Sequence, residues 1–314
     1  MPESLTFDET FTVTADNPLL RGHVVHGRHL LPGVGYVDLV LQVLSRHGWQ
    51  TSSVELRNLT ILAPLVAAPG ERLATTVRGR PAAGGGCRIE IVGSRQDAGR
   101  RGGPELVHAT VTAHRHSLPA FEGRLETPVT GAHRHTRMSD LYAWLRERNL
   151  VHSGLMKVGG QVHHRRGDWT AEVELDPAHR DTAAEFPFHP ALFEAGVLGA
   201  GVGLHMLHEG GAAEDLYLPL VFESFRATAP LGSRCFVRVP AESAHRDEEL
   251  MRLAVEFFDE TGRQVAELRH IVAKRVRAAA TLDVRGEPHQ GAAARAVAGP
   301  LREPSGAEAA SPGA

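Results

Sequence analysis

The chain has 314 residues, a formal net charge of −3 and 42% hydrophobic residues. A chain of this length can bury one large core or two smaller ones, and its near-neutral charge gives no sign of a nucleic-acid partner. It contains no apolar run of the roughly 20 residues that cross a bilayer, no signal-peptide pattern, and only two cysteines, too few for a disulfide framework. We therefore expect a cytoplasmic globular protein without a membrane or nucleic-acid partner.

A first informative segment reads Arg-Gly-His-Val-Val-His-Gly-Arg-His-Leu-Leu-Pro-Gly-Val-Gly-Tyr. Within it, His23, Gly27 and Pro32 follow the spacing His-x3-Gly-x4-Pro. The apolar residues 33–47 predict a buried helix directly after the proline. A histidine titrates near neutral pH, and the free N–H groups at a helix N-terminus can bind a developing oxyanion. The segment therefore predicts a base, His23, beside an oxyanion site at Gly33.

Short strands separated by turns account for most of the remaining sequence. Alternation of apolar and polar residues is clear in Cys87-Arg-Ile-Glu-Ile, and Asp259-Glu-Thr-Gly is a hairpin turn signal. The predicted strands are residues 54–62, 71–79, 87–93, 105–114, 155–165, 169–175, 216–228, 234–240, 250–258 and 264–276.

The apolar residues 190–208 predict a second buried helix, which starts at Pro190 and carries Glu194. Its glycines weaken it by about 1 kcal/mol each relative to alanine, which makes sense if a sheet packs closely against them. They are Gly196, Gly199, Gly201 and Gly203. A lone carboxyl is costly to bury in its ionised form, so burial favours the neutral acid. A neutral acid that faces a histidine can form an acid–base pair with it.

The two halves of the chain share one layout, a central apolar helix that begins at a proline and is followed by strands. Superposing Pro32 on Pro190 places Tyr36 opposite Glu194. One helix wrapped by each of two antiparallel sheets is the α+β layout called a double hotdog. The predicted limits are an N-terminal hotdog over residues 1–116, a linker over 117–138, a C-terminal hotdog over 139–277 and a disordered tail over 278–314.

The two helix-start motifs resemble those of the dehydratase domains of modular polyketide synthases. The first motif matches in full, and the second matches His-Pro-x-x-x-Asp through His189 and Pro190, with Glu194 in place of the aspartate. Leu198 stands where that family usually has glutamine or histidine. The resemblance extends over nearly the whole chain up to residue 277, with further similar segments at residues 216–220 and 258–267.

The resemblance implies syn removal of water from a 3-hydroxyacyl thioester carried by an acyl carrier protein. His23 would remove the α-proton, the N–H of Gly33 would hold the thioester carbonyl, and Glu194 would protonate the departing β-hydroxyl. The other candidates for oxyanion or substrate binding are Gly27, Pro32, Tyr36, His189 and Leu198, of which Tyr36 is explained equally well as a core residue. The mechanism needs no metal or organic cofactor.

Departures from the family pattern keep other functions open. The family's Tyr-Gly-Pro-x-Phe segment follows a short helix, visible here at residues 139–147, and reads His152-Ser-Gly-Leu-Met in this chain. The same acid and base can also support a double-bond shift or the oxa-Michael closure of a pyran ring. A third alternative is a catalytically silent partner of a synthase, and retention of both His23 and Glu194 argues against it.

Two further expectations concern partners and metals. The sequence has no carrier, ketosynthase or ketoreductase segment. We therefore expect it to meet the carrier-bound substrate of a polyketide synthase in trans, as a stand-alone protein or an excised domain, and to form a homodimer by resemblance. The run His23, His26 and His29 does not converge three imidazoles and has no obvious carboxylate partner. We therefore expect no metal.

Overall fold

Residues 5–82, 84–95, 104–117, 119–207 and 216–276 are described by a computed structural model, with the backbone alone for residues 200–207. The predicted tail over 278–314 lies outside the described residues. No helix among the described residues is long and apolar enough to cross a membrane.

Helices are few and strands dominate in the described residues. The helices are α1 (Pro18–Arg21), α2 (Gly33–Arg46), α3 (Met138–Glu147) and α4 (Pro190–Leu207). The strands of the N-terminal half are β1 (Phe7–Thr14), β2 (His23–Val25), β3 (Arg28–His29), β4 (Val54–Ile61), β5 (Arg72–Pro81), β6 (Cys87–Arg95) and β7 (Leu106–Arg115). Those of the C-terminal half are β8 (Arg134–Arg137), β9 (Leu150–His152), β10 (Val158–His164), β11 (Asp168–Leu175), β12 (Leu216–Ala227), β13 (Arg234–Pro240), β14 (His245–Arg246), β15 (Leu250–Phe258) and β16 (Gln264–Val276).

The N-terminal half wraps its strands around α2. Pro32 stands in extended conformation at the N-cap of this helix, and Gly48, with φ of +75°, follows its end. Both sides of the helix are buried because valine and leucine occupy nearly every turn. The strands lie in the order β1-β5-β6-β7-β4, all antiparallel.

The C-terminal half repeats this layout around α4, with the strand order β12-β16-β15-β13-β11-β10-β8. The close packing that the glycines predict is present at both glycines whose surroundings are described. A Cβ on Gly196 would lie 2.5 Å from Cγ1 of Val237 in β13, and one on Gly199 would lie 3.1 Å from Cγ2 of Val162 in β10. The helix therefore rests directly on the sheet, and at Gly196 a larger residue would fit only if Val237 shifted.

The two predicted sheets are joined edge to edge. Strands β4 and β12 pair antiparallel, with Phe222 opposite Leu59 and Phe225 opposite Leu56. Among the described residues this produces one continuous sheet of 13 strands, with β1 and β8 at the two ends of its path. The α+β prediction with one central helix for each half is confirmed, and the joint between the halves is a finding of the structure.

A small second sheet also connects the halves, with the strand order β3-β2-β9. Its β2 strand belongs to the first half and its β9 strand to the second, and their antiparallel register places His23 opposite His152. Side chains of directly opposed residues project from the same face of a sheet. This pairing therefore brings two histidines from distant parts of the chain together.

The residues predicted as a linker, 117–138, pack against the C-terminal half where they are described. Leu125 and Val129 form a buried cluster with Phe236 and Phe258, and the last residues of the range form strand β8. The predicted strand over 155–165 starts only at Val158, because a short 3-10 helix with Gly154 at φ of +52° precedes it.

Candidate active site

His23 is held at the centre of the small sheet with its reactive nitrogen free. The side chain is buried, and Nδ1 lies 3.1 Å from the carbonyl oxygen of Leu30. A carbonyl only accepts hydrogen bonds, so Nδ1 carries the proton and Nε2 keeps its lone pair. Burial lowers the pKa of His23 to about 4, although the nearby Glu194 carboxylate opposes this shift. His23 is therefore neutral and basic at neutral pH.

Glu194 is the fifth residue of α4, which directs it towards the small sheet. Its carboxyl is buried, and Oε1 lies 3.7 Å from Nε2 of His23 and 3.9 Å from Nε2 of His152. Both distances exceed that of a hydrogen bond, and within the described part of the chain Oε2 has no hydrogen-bond partner. The carboxyl thus faces two imidazoles across a gap.

His152 completes this group, and sequence reasoning did not identify it as a site residue. It is buried, its ring meets that of His23 edge-on at a centroid distance of 5.2 Å, and it lies 5.3 Å from the ring of Tyr142 in α3. The Tyr142 hydroxyl accepts a hydrogen bond from the Val158 N–H, and burial raises the pKa of this tyrosine. The sequence feature that could have identified His152 is its position, because it begins the segment that replaces the family's Tyr-Gly-Pro-x-Phe.

Gly27, Pro32 and Gly33 shape the backbone beside His23. Gly27 has φ of +76° in the tight turn between β2 and β3, a conformation that favours glycine. Pro32 precedes α2, whose N-terminus has no side-chain cap. A Cβ on Gly33 would lie 3.1 Å from Cβ of Pro219. These residues therefore present an uncapped helix N-terminus close to β12.

Tyr36 and His189, both predicted to bind substrate or oxyanion, have structural partners. The Tyr36 hydroxyl accepts a hydrogen bond from the Leu65 N–H at 2.9 Å and is buried. His189 accepts from the Ala191 N–H through Nδ1 at 3.2 Å, and its Nε2 lies 3.1 Å from Oγ1 of Thr182. We therefore assign Tyr36 to packing of the core and His189 to capping of α4.

A narrow apolar cavity of about 50 Å³ adjoins Glu194. Leu198, one turn further along α4, also lines it. The other walls come from α3 and from strands β9, β12, β15 and β16. A more open cavity of about 900 Å³ lies at the C-terminal end of α2. It contains none of the candidate residues.

His23, His152 and Glu194 are also the group among the described residues that could hold a metal ion, with ligand atoms within 4.8 Å of one another. The sequence run His23, His26 and His29 does not form this group, because only His23 belongs to it. His26 lies in the turn after β2 with φ of +47°, and Nδ1 of His29 is 3.3 Å from the carbonyl oxygen of Leu20.

Comparison with known sequences identifies the family of this fold and site. The family model described as "Polyketide synthase dehydratase domain" matches residues 2–94, and that described as "Polyketide synthase dehydratase N-terminal domain" matches residues 121–283. Polyketide synthase PksL of Bacillus subtilis (strain 168) is 32% identical over 270 residues, which cover 85% of this chain and 6% of PksL. Polyketide synthase PksM of the same organism is 31% identical over 271 residues, or 86% of this chain and 6% of PksM. The chain thus spans about 6% of the length of these relatives.

Solved structures give the same result. A monomeric dehydratase domain from a trans AT polyketide synthase split module superposes with a TM-score of 0.81 and 31% identity, and the match covers 87% of this chain and 100% of that one. An N-terminal dehydratase from the difficidin assembly line, at 21% identity, has the same fold with a TM-score of 0.79 over 88% of this chain and 96% of its own. The chain therefore belongs to the polyketide synthase dehydratase domain family and has its double hotdog fold.

Proposed function

We propose that this protein removes water from a 3-hydroxyacyl thioester. The observation that carries the proposal is the 3.7 Å separation between Nε2 of His23 and Oε1 of Glu194. Both residues are buried, and Glu194 also lines an apolar cavity. The pair unites a base of the first half with an acid of the second. It requires no metal or organic cofactor.

In this mechanism Nε2 of neutral His23 takes the proton from the α-carbon. The hydrogen bond from Nδ1 to the Leu30 carbonyl fixes the ring so that Nε2 is the basic atom. Electron density moves into the thioester carbonyl, and the uncapped N-terminus of α2 at Gly33 supports the oxyanion.

Glu194 then delivers a proton to the β-hydroxyl, which leaves as water while the double bond forms between the α- and β-carbons. The two reacting side chains are close neighbours, with Nε2 of His23 3.7 Å from Oε1 of Glu194. An acid and a base this close act on the same face of the acyl chain, which corresponds to syn elimination. Glutamate reaches further than aspartate by about one bond, and catalysis is sensitive to displacements on the order of 1 Å.

A double-bond isomerase is the second candidate, favoured by one observation. Glu194 lies between two imidazoles, with Oε1 3.7 Å from His23 and 3.9 Å from His152. Moving a double bond requires proton removal at one carbon and proton delivery at another, which paired bases can share. A pyran-forming cyclase and a catalytically silent partner remain outcomes of the test.

The partners follow from the substrate. We propose that an acyl carrier protein of a polyketide synthase presents the thioester, in line with the polyketide synthases to which this chain is similar. A cytoplasmic location and a homodimer belong to the proposal as well. One similar dehydratase domain is described as monomeric, so the oligomeric state should be measured by light scattering.

The test is product mass spectrometry on a simple 3-hydroxyacyl thioester, with His23→Ala and Glu194→Gln beside the unchanged chain. Loss of one water that requires both residues supports the dehydratase. An unchanged mass with a shifted retention time, on an enoyl thioester with a distal hydroxyl, supports the isomerase or cyclase instead. No reaction with any of these substrates supports the silent partner.

A further inference from the structure

The group formed by His23, His152 and Glu194 contains buried polar atoms without hydrogen-bond partners, and the proposed elimination of water does not use all of them. All three residues are at most 5% exposed. Within the described residues, both ring nitrogens of His152 and Oε2 of Glu194 have no hydrogen-bond partner. Buried polar atoms without partners are costly, on the order of 1–3 kcal/mol each. The arrangement therefore points to a ligand that satisfies several of them at once.

Three separate elements aim these side chains at one point. His23 and His152 are directly opposed in the antiparallel pairing of β2 with β9, and Glu194 reaches them from α4. Since each side chain is fixed by a different element of the core, their convergence is a property of the fold. Two imidazoles and one carboxylate form a donor set that suits transition metals and not the oxygen-seeking Mg²⁺ or Ca²⁺.

The distances suit an open metal site. Zinc binds histidine nitrogen and carboxylate oxygen at about 2.0–2.2 Å, so tetrahedral ligand atoms stand about 3.4 Å apart. The carboxylate oxygen is 3.7 Å and 3.9 Å from the two Nε2 atoms, and the three ligand atoms all lie within 4.8 Å of one another. Small side-chain rotations would therefore close the triangle around a cation.

The surroundings of His23 also match those of a metal ligand. Histidine ligands commonly donate their second ring N–H to a carbonyl or carboxylate, which orients the ring. Nδ1 of His23 makes this contact with the Leu30 carbonyl at 3.1 Å, leaving Nε2 for the cation.

We propose that His23, His152 and Glu194 form a binding site for a divalent transition-metal cation of the zinc class, and that this cation inhibits the enzyme. The cation takes up the lone pair of His23 and the carboxylate of Glu194, so neither can serve the elimination. This inhibition rests on the proposed function, whereas the metal site itself does not. The inference departs from the prediction of no metal, which considered His23 only with its neighbours in sequence.

The test is a titration of the metal-stripped full chain with Co²⁺, followed by its visible d–d absorption and by calorimetry. We expect one Co²⁺ per chain, displaced by Zn²⁺. His152→Phe should weaken binding by at least about 100-fold, since loss of even an outer-shell partner costs 10–100-fold. The matched control is His133→Ala, which removes an exposed histidine and should leave the titration unchanged.

Glu194→Gln provides a second variant if His152→Phe fails to fold, and it should also weaken binding. Co²⁺ affinity that is equal in the unchanged chain and in a folded site variant would overturn the metal site. Dehydration is assayed separately in the presence of a chelator. Activity there that survives one equivalent of bound Zn²⁺ overturns the inhibition alone. Inactivity with intact Co²⁺ binding overturns the proposed function and leaves the metal site standing.

Discussion

The two central helices begin alike and use the same position differently. Each has a proline at its start, and four residues after that proline stand Tyr36 in α2 and Glu194 in α4. The Tyr36 hydroxyl holds the backbone at Leu65 by a hydrogen bond of 2.9 Å, whereas Glu194 faces two histidines beyond hydrogen-bond distance. The same helix position thus carries a hydrogen-bonded core residue in α2 and a buried carboxyl in α4, and Oε2 of that carboxyl has no hydrogen-bond partner among the described residues.

This division also explains why both halves are needed. In the proposed mechanism the first half supplies the base on β2, and the second supplies the acid on α4. Neither half contains the complete pair, so the proposed site lies where the halves meet through the small sheet.

The largest effect should come from removing the acid. Glu194→Gln should lower kcat by about 10²–10⁴-fold, the usual contribution of a general acid, with little change in Tm. Its counterpart Tyr36→Phe should leave kcat within about twofold while costing about 1 kcal/mol of unfolding free energy, the worth of one hydrogen bond. Steady-state kinetics and urea unfolding of both variants measure this contrast, and equal loss of activity in the two would refute the division of roles.

The pH dependence of activity should reflect the buried base. His23 has a pKa of about 4 in the folded protein, lowered by burial from an ordinary value of 6.5. Its base form therefore persists down to about pH 4, and kcat/KM should stay on its plateau through pH 6. A pH profile of kcat/KM, recorded where the fold is intact, checks this. An acidic limb centred near 6.5 would contradict the burial of the free base.

A buried carboxyl in the other helix should influence stability and not catalysis. Burial raises the pKa of Asp38 in α2 to about 7, although the Gln42 amide opposes the shift by donating a hydrogen bond at 2.6 Å. The folded state then holds this proton more tightly than the unfolded state, so stability is full below about pH 4 and falls as the pH rises to 7. Asp38→Asn should remove that loss, gaining about 4 kcal/mol at pH 8, since each unit of difference in pKa between the folded and unfolded states corresponds to about 1.4 kcal/mol.

Urea unfolding of the unchanged chain and of Asp38→Asn between pH 5 and 8 measures this effect. The two stability curves should converge towards low pH. Parallel curves would show that Asp38 does not titrate in this range.

The smallest expected effect is on the free energy of unfolding, when one glycine in each central helix is replaced by alanine. Gly196→Ala in α4 would place a Cβ 2.5 Å from Cγ1 of Val237. Overpacking costs about 1–3 kcal/mol, partly offset by about 1 kcal/mol of helix propensity, so we expect a net loss of about 1 kcal/mol. Gly35→Ala in α2 meets the end of the Leu31 side chain at 2.7 Å. That side chain can rotate away, so this variant should be neutral or slightly stabilising in the same urea assay.

The parts of the site that lie next to a helix start could be predicted from the sequence. His23 and Glu194 each stand close to a proline that begins an apolar helix, and local spacing was enough to single them out. The resemblance to the dehydratase motif indicated the position of Leu198, which lines the same cavity as Glu194. The central helices and most strands were likewise predictable, because their apolar periodicity is local.

What could not be predicted depends on contacts between distant segments. His152 meets Glu194 only because β9 pairs with β2 across the two halves, and the joint between β4 and β12 likewise has no local signal. His189 carries a motif histidine, yet its ring nitrogens contact Ala191 and Thr182 within its own segment. The motif therefore drew attention to His189, but it could not distinguish a residue that caps the helix from one that contacts substrate.

The most direct test of the pairing between the halves is hydrogen exchange at the α-carbon of a 3-hydroxyacyl thioester in deuterium oxide, followed by mass spectrometry. The unchanged chain should release water. Glu194→Gln should exchange the α-hydrogen for deuterium without water loss, since His23 remains, and His23→Ala should do neither. Water loss without Glu194, or α-exchange without His23, would contradict the assignment of acid and base to the two halves.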